Sequence, residues 1–258
     1  MRDFAFTIAI GCASRALMTR DRLLRLPRQA ANDSTSLVPL RIRSGQSNLD
    51  AIFARPSAEM PKAGVLICHG IGETVRHWEA AQRLLATEGV ASLVFNYSGY
   101  ARSTGRMTAE QFEHDAISAF QRLEELLPSV PISLLGFSLG SGIATAIVTN
   151  VNARRLILCA AFTSFREAAG CILPRSLAHL LPDLWNTQAI LRTCTVPVLI
   201  VNGKADRLFP EQMGHRLSGA CAATHELILV PELAHNDPIY RPKLSYWSLI
   251  ATRMKDCL

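Results

Sequence analysis

Six short apolar runs recur along this chain, at 65–68, 91–95, 132–135, 156–160, 198–202 and 226–230. Longer segments with helical spacing separate most of them. A strand buried on both faces reads as a continuous apolar run, so the pattern predicts a mostly parallel sheet with helices on both sides. Helices are expected over 76–87, from 108 to Pro128, and over 139–150, 211–220 and 241–255. Thr108 and Gln111 are spaced as a capping box, and Phe112, Ala116, Ala119, Phe120, Leu123, Leu126 and Leu127 form one helix face. Upstream, 37–56 reads as two strands joined by a turn at Ser44 and Gly45. The fold class is α/β.

In such a sheet the ligand crevice lies at the carboxyl ends of the strands, so chemistry-bearing residues just after a strand carry the argument. Gly136-Phe137-Ser138-Leu139-Gly140 follows the run 132–135 and opens the helix 139–150. This G-x-S-x-G pattern between strand and helix is the context of a nucleophile elbow. Serine is a weak nucleophile and needs a base, a group that orients the base, and donors for the developing oxyanion. Asp206 follows the run 198–202, whereas Asp183 fits no strand end. His235 follows the last strand. His77, His114 and His215 fall on expected helices, His225 opens a strand, and His179 lies in an irregular stretch. The order Ser138, Asp206, His235 is the one this chemistry takes on an α/β sheet. Backbone amides of Leu139 and of Ile71, with Gly72 as second choice, are the oxyanion donors; His69 orients their loop.

The hydrophobic fraction of 49% against 19% charged residues supplies a sizeable core. Seven scattered cysteines (12, 68, 159, 171, 194, 221, 257) contain no C-x-x-C pair, which fits buried thiols in a reducing, cytoplasmic compartment. Of the net charge of +6, most sits at 1–43, where eight arginines face three aspartates. The body therefore has no basic-aromatic stripe that would mark a nucleic-acid partner. The arm, 1–36, carries a ten-residue apolar run too short to span a bilayer. Asp3 in its flank and the lack of an A-x-A site argue against a signal peptide. It reads either as an interfacial segment making peripheral membrane contact or as a helix packed on the domain. The domain itself is 37–258. Its irregular stretch 162–195 is read as a cap whose Phe165, Leu173, Leu177 and Trp185 face an acyl or alkyl substrate.

With these residues in hand, the chain resembles α/β-hydrolase-fold serine hydrolases. It is most similar to the membrane-associated branch that includes the bud-emergence-suppressor-like proteins and the serine-aminopeptidase-like domains. The matching stretches are RDRLLRLPR (20–28), LICHGIGE (66–73), FNYSGYARSTG (95–105), LLGFSLGSG (134–142), AAFTS (160–164), VNGKADRLFP (201–210) and LAHND (233–237). The resemblance implies esterase, thioesterase or lipase-like activity on a small-molecule acyl substrate, without a cofactor. Two positions depart from the branch: Ser98 replaces its usual arginine and Ala101 its usual glycine, at a turn on the site's edge. Rival readings are a peptidase or perhydrolase on the same triad, and a hydrolase-like receptor or scaffold with little turnover.

Overall fold

The computed structural model describes residues 35–56, 60–174, 178 and 181–256. Nearly all of the N-terminal arm, together with Cys12, Leu177, His179 and Cys257, lies outside the described residues. Eight strands form one sheet: β1 (Thr35–Ser44), β2 (Ser47–Pro56), β3 (Ala63–Cys68), β4 (Val90–Phe95), β5 (Ile132–Phe137), β6 (Leu156–Cys159), β7 (Val198–Gly203) and β8 (His225–Val230). Their spatial order is β1-β2-β4-β3-β5-β6-β7-β8. The hairpin β1–β2 and the β2–β4 pairing are antiparallel, and every pairing from β4 to β8 is parallel. The hairpin turns at Gly45 and Gln46, one residue later than the sequence suggests, because Gly45 takes the left-handed backbone (φ 54°) that the tight turn requires.

Helices flank the sheet in two sets. On one face lie α1 (Glu79–Thr87), reached through a 3-10 turn at Val75–Trp78, and α8 (Leu244–Lys255) with the short α7 (Asp237–Tyr240). On the other lie α2 (Ala109–Leu126), α3 (Leu139–Ile147), α5 (Thr187–Leu191) and α6 (Glu211–Ser218), with α4 (Phe165–Gly170) packed beside them. The continuous apolar runs divide between two cores with a period of two. Val65, Ile67, Leu135, Phe137, Leu199 and Val201 face α1 and α8, while Leu66, Cys68, Leu134, Ile200 and Val198 face the opposite set. Burial of both faces is why alternation is invisible in these strands.

Boundaries move where short-range chemistry competes. Thr108 caps α2 by accepting from the Gln111 amide at 3.1 Å. The reciprocal half of the capping box is not made; the Gln111 side chain points along the helix, where its Nε2 donates to Asp115 Oδ1 at 2.8 Å. The stretch 162–195 is not wholly irregular, since α4 and α5 lie within it. No described helix is long and apolar enough to cross a membrane.

Candidate active site

The sheet's carboxyl edge gathers the loops that follow five strands. Cys68 pairs with Gly136, Phe137 with Cys159, Cys159 with Val201 and Gly203 with Val230, so β3, β5, β6, β7 and β8 all deliver their ends to one side. Ser138 sits at the junction of β5 and α3 with φ 52° and ψ −118°, strained for a residue with a Cβ. Two contacts enforce that turn. A Cβ on Gly136 would lie 2.4 Å from Gly140 O, and one on Gly140 would lie 1.9 Å from Cys68 O. The Ser138 amide donates to Cys159 O at 3.1 Å, and Ser138 O accepts from the Ser141 amide and hydroxyl at 2.9 and 2.6 Å. The elbow is thus held on both sides by backbone.

From this serine a hydrogen-bond chain runs inward. Ser138 Oγ and His235 Nε2 are 3.0 Å apart, and His235 Nδ1 and Asp206 Oδ2 are 2.7 Å apart. The other carboxylate oxygen of Asp206 accepts from the amides of Leu208 and Phe209 at 2.8 and 2.9 Å, which fixes its rotamer. Asp206 is buried and can only accept, so His235 carries its proton on Nδ1 and offers the Nε2 lone pair to the serine. Phe137 and Phe209 confine the imidazole, with ring centroids at 5.5 and 5.1 Å. The loop bearing His235 presses on β7: a Cβ on Gly203 would lie 2.0 Å from Leu233 O. Ser138 and Asp206 lie 97 and 29 positions from His235 in the chain, and three strand ends bring them together.

Beside the elbow runs the loop from His69 to Glu73. Its carbonyls are tied from beneath: Tyr97 Oη donates to His69 O at 2.9 Å, and Tyr100 Oη to Ile71 O at 3.1 Å. His69 Nδ1 is 2.7 Å from Gly70 O. A carbonyl only accepts, so Nδ1 holds the proton and the buried Nε2 is a lone pair without a partner among the described residues. Burial pushes the His69 pKa down to about 4, so the ring is neutral. With the carbonyls drawn to one side, the amides of Ile71 and Gly72 are left without an acceptor among the described residues, as is that of Leu139 at the start of α3. Tyr97 and Tyr100 were not singled out by sequence; the visible signal was two tyrosines in FNYSGY, just past a strand end.

The turn that carries those tyrosines rests on Asp115, which accepts from the Ser98 amide at 2.6 Å and the Ser98 hydroxyl at 3.0 Å. Ala101, in the same turn, has φ 45°, the conformation glycine takes without strain. In the cap, Phe165 and Trp185 are buried in the core rather than open to a cleft, packed edge-to-face at 5.6 Å. Gly142 on α3 makes room for Trp185, whose Nε1 donates to Glu113 Oε1 at 2.7 Å. Leu173 and Ile172 are exposed. A cleft of about 520 Å³ opens between α4 and α6, with Arg166, Glu167, Cys171, Gln212 and Arg216 among its lining. Glu167 and Arg216 pair across it at 2.6 Å.

The model of the serine aminopeptidase, S33, family matches residues 59–191. That segment contains the loop from His69 to Glu73 and the elbow but stops short of Asp206 and His235. A protein of uncharacterised function from Mycobacterium tuberculosis is 30% identical over 178 residues, covering 67% of this chain and 63% of its own length. The chain therefore spans less than two thirds of that relative. The lysophosphatidylserine lipase ABHD12 of Danio rerio is 26% identical over 199 residues, covering 69% of this chain and 52% of its own. An esterase from Pyrococcus furiosus superposes with a TM-score of 0.71 at 15% identity, over 90% of this chain and 98% of that one.

Proposed function

The chain belongs to the serine aminopeptidase, S33, family of α/β-hydrolases, and from that premise we propose that it is a serine hydrolase cleaving a carboxylic ester or thioester through an acyl-enzyme. One observation carries the reading: the unbroken hydrogen-bond chain Ser138–His235–Asp206, ending beside unspent amides at Leu139 and Ile71. Ser138 Oγ attacks the acyl carbon while His235 Nε2 takes its proton. The carbonyl electron pair moves onto oxygen, where the Leu139 and Ile71 amides stabilise it. Collapse breaks the bond to the leaving group, which departs with the proton from His235. Water then repeats the sequence on the acyl-enzyme and releases the acid. Asp206 keeps the imidazole in the required tautomer and offsets the charge it acquires.

Small to medium acyl groups are the expected substrates. The lysophosphatidylserine lipase relative makes a polar leaving group worth including. The test is fluorophosphonate labelling together with a panel of esters, thioesters, a lysophospholipid and aminoacyl anilides. Wild type should label and hydrolyse the esters, and Ser138→Ala should lose turnover by about 10⁴-fold or more. Labelling that survives Ser138→Ala, or a wild type inert on the whole panel, would sink the proposal. Anilide cleavage exceeding ester cleavage would favour the peptidase alternative.

A further inference from the structure

Glu73 is buried, yet it takes no part in the proton relay. Its Oε2 accepts from the Gly70 amide at 2.9 Å and from Trp78 Nε1 at 2.8 Å. Its own amide donates back to Gly70 O at 3.3 Å. The loop from Gly70 to Glu73 offers four amides, and this arrangement spends the first and the last. The two between them, Ile71 and Gly72, have no acceptor among the described residues.

The anchor at the other end of Glu73 is rigid. Trp78 is fully buried, and its indole packs edge-to-face on Phe137 at 5.7 Å and on Trp247 at 5.9 Å. Phe137 immediately precedes Ser138. The carboxylate therefore links the glycine loop to the same strand that carries the nucleophile, through one side chain and one ring. The carboxylate also packs closely on Gly70, where a Cβ would lie 3.1 Å from Glu73 Oε1.

We infer that Glu73 is a positioning residue for the oxyanion site: it draws the Gly70 amide away and fixes Ile71 and Gly72 as the amides that face the reacting carbonyl. The inference rests on the hydrolase reading above. Without the acceptor, Gly70 N–H and Trp78 Nε1–H are both left buried and unpaired, and the loop turns to satisfy them. The Ile71 amide then leaves its position by an amount that only the transition state feels.

The experiment compares Glu73→Met, which keeps length but removes the acceptor, with Glu73→Gln, whose carboxamide oxygen can accept both donors. Glu73→Met is expected to lower kcat about 10- to 100-fold with KM changed less than about twofold. The affinity for a trifluoromethyl ketone, whose tetrahedral adduct needs the same amides, should fall in proportion. Glu73→Gln should recover kcat to within about threefold of wild type. Equal losses in Met and Gln variants, a loss confined to KM, or an unchanged kcat in Glu73→Met would each overturn the inference. If Glu73→Met does not fold, Glu73→Asp takes its place: it keeps the charge but retracts the acceptor by one methylene. There a kcat within about twofold of wild type overturns it, and a tenfold loss supports it. Active wild type with unaffected Glu73 variants defeats only this inference, whereas an inert, unlabelled wild type defeats the hydrolase reading.

Discussion

Gly140→Ala tests how closely the nucleophile and the oxyanion donors depend on one contact. The added Cβ would sit 1.9 Å from Cys68 O, 2.4 Å from Cys68 C and 2.9 Å from His69 O. These are backbone atoms, so no rotamer change relieves the overlap. Restoring even a 3.0 Å separation moves the start of α3 away from the end of β3 by roughly 1 Å. Cys68 is paired with Gly136 in the sheet, so β3 itself resists, and the displacement falls on Leu139 or on the loop beginning at His69. Either shift separates the Leu139 and Ile71 amides proposed to stabilise the oxyanion. A misplacement of about 1 Å costs on the order of 10²-fold, and outright loss of one donor costs about 10²–10³. The same overpacking lowers stability by about 1–3 kcal/mol. The assay is kcat/KM on a short-chain p-nitrophenyl ester, measured at a temperature where circular dichroism shows the variant folded. Gly170→Ala is the control, because its Cβ would meet only Ala178 Cβ at 3.8 Å. A folded Gly140→Ala retaining kcat/KM within tenfold of wild type would refute the claim that this contact sets the site.

Two further outcomes follow from groups near the site. The His69 pKa is depressed to about 4 by burial, so between the ordinary histidine value and 4 the unfolded chain binds a proton that the native state does not. Stability from this group is complete above about pH 6.5 and declines by roughly 3 kcal/mol as pH falls to about 4. Urea unfolding at several pH values should show that decline, and a His69→Gln variant should flatten it; an equal slope in both would exclude His69 as its source. Ala101→Gly relieves the left-handed strain at φ 45° and should raise the urea midpoint by an amount equivalent to about 0.5–1 kcal/mol, less what glycine loses in chain entropy. A lower midpoint would mean that Ala101 is held there without strain.

The elements of the site that sequence made legible are those whose chemistry is tied to a strand end. Ser138, Asp206 and His235 each follow an apolar run, and a parallel sheet sends all such positions to one edge. What escaped is the support beneath them. Tyr97 and Tyr100 reach residues about 28 positions away, and no local periodicity encodes where a phenol points. Asp115 lies next to Ala116 on the buried face of α2, an acid within an apolar stripe. That anomaly was readable, but its partner Ser98 was not. The cap was read as irregular because α4 and α5 have six and five residues, too few for a helical period to register. Phe165 and Trp185 were expected to face substrate by their apolar character alone, and that character serves equally well to anchor the cap in the core.

This division between site and support has a consequence for how such a molecule can vary. The proposed triad and the loop from His69 to Glu73 are located by backbone against backbone: Gly136 on Gly140, Gly140 on Cys68, Gly203 on Leu233, and the Ser138 amide on Cys159 O. Contacts of that kind leave almost no substitution that preserves them. The cap is located by side chains: Phe165 on Trp185, Trp185 on Glu113, and Glu167 on Arg216. The last of these pairs is substantially exposed and contributes little to stability. On the proposed reading, changes in the cap alter what enters the site while the reacting groups stay in register. On that same reading, the reacting groups are set by glycines whose Cβ would meet backbone, and the cap by side chains that many residues could replace.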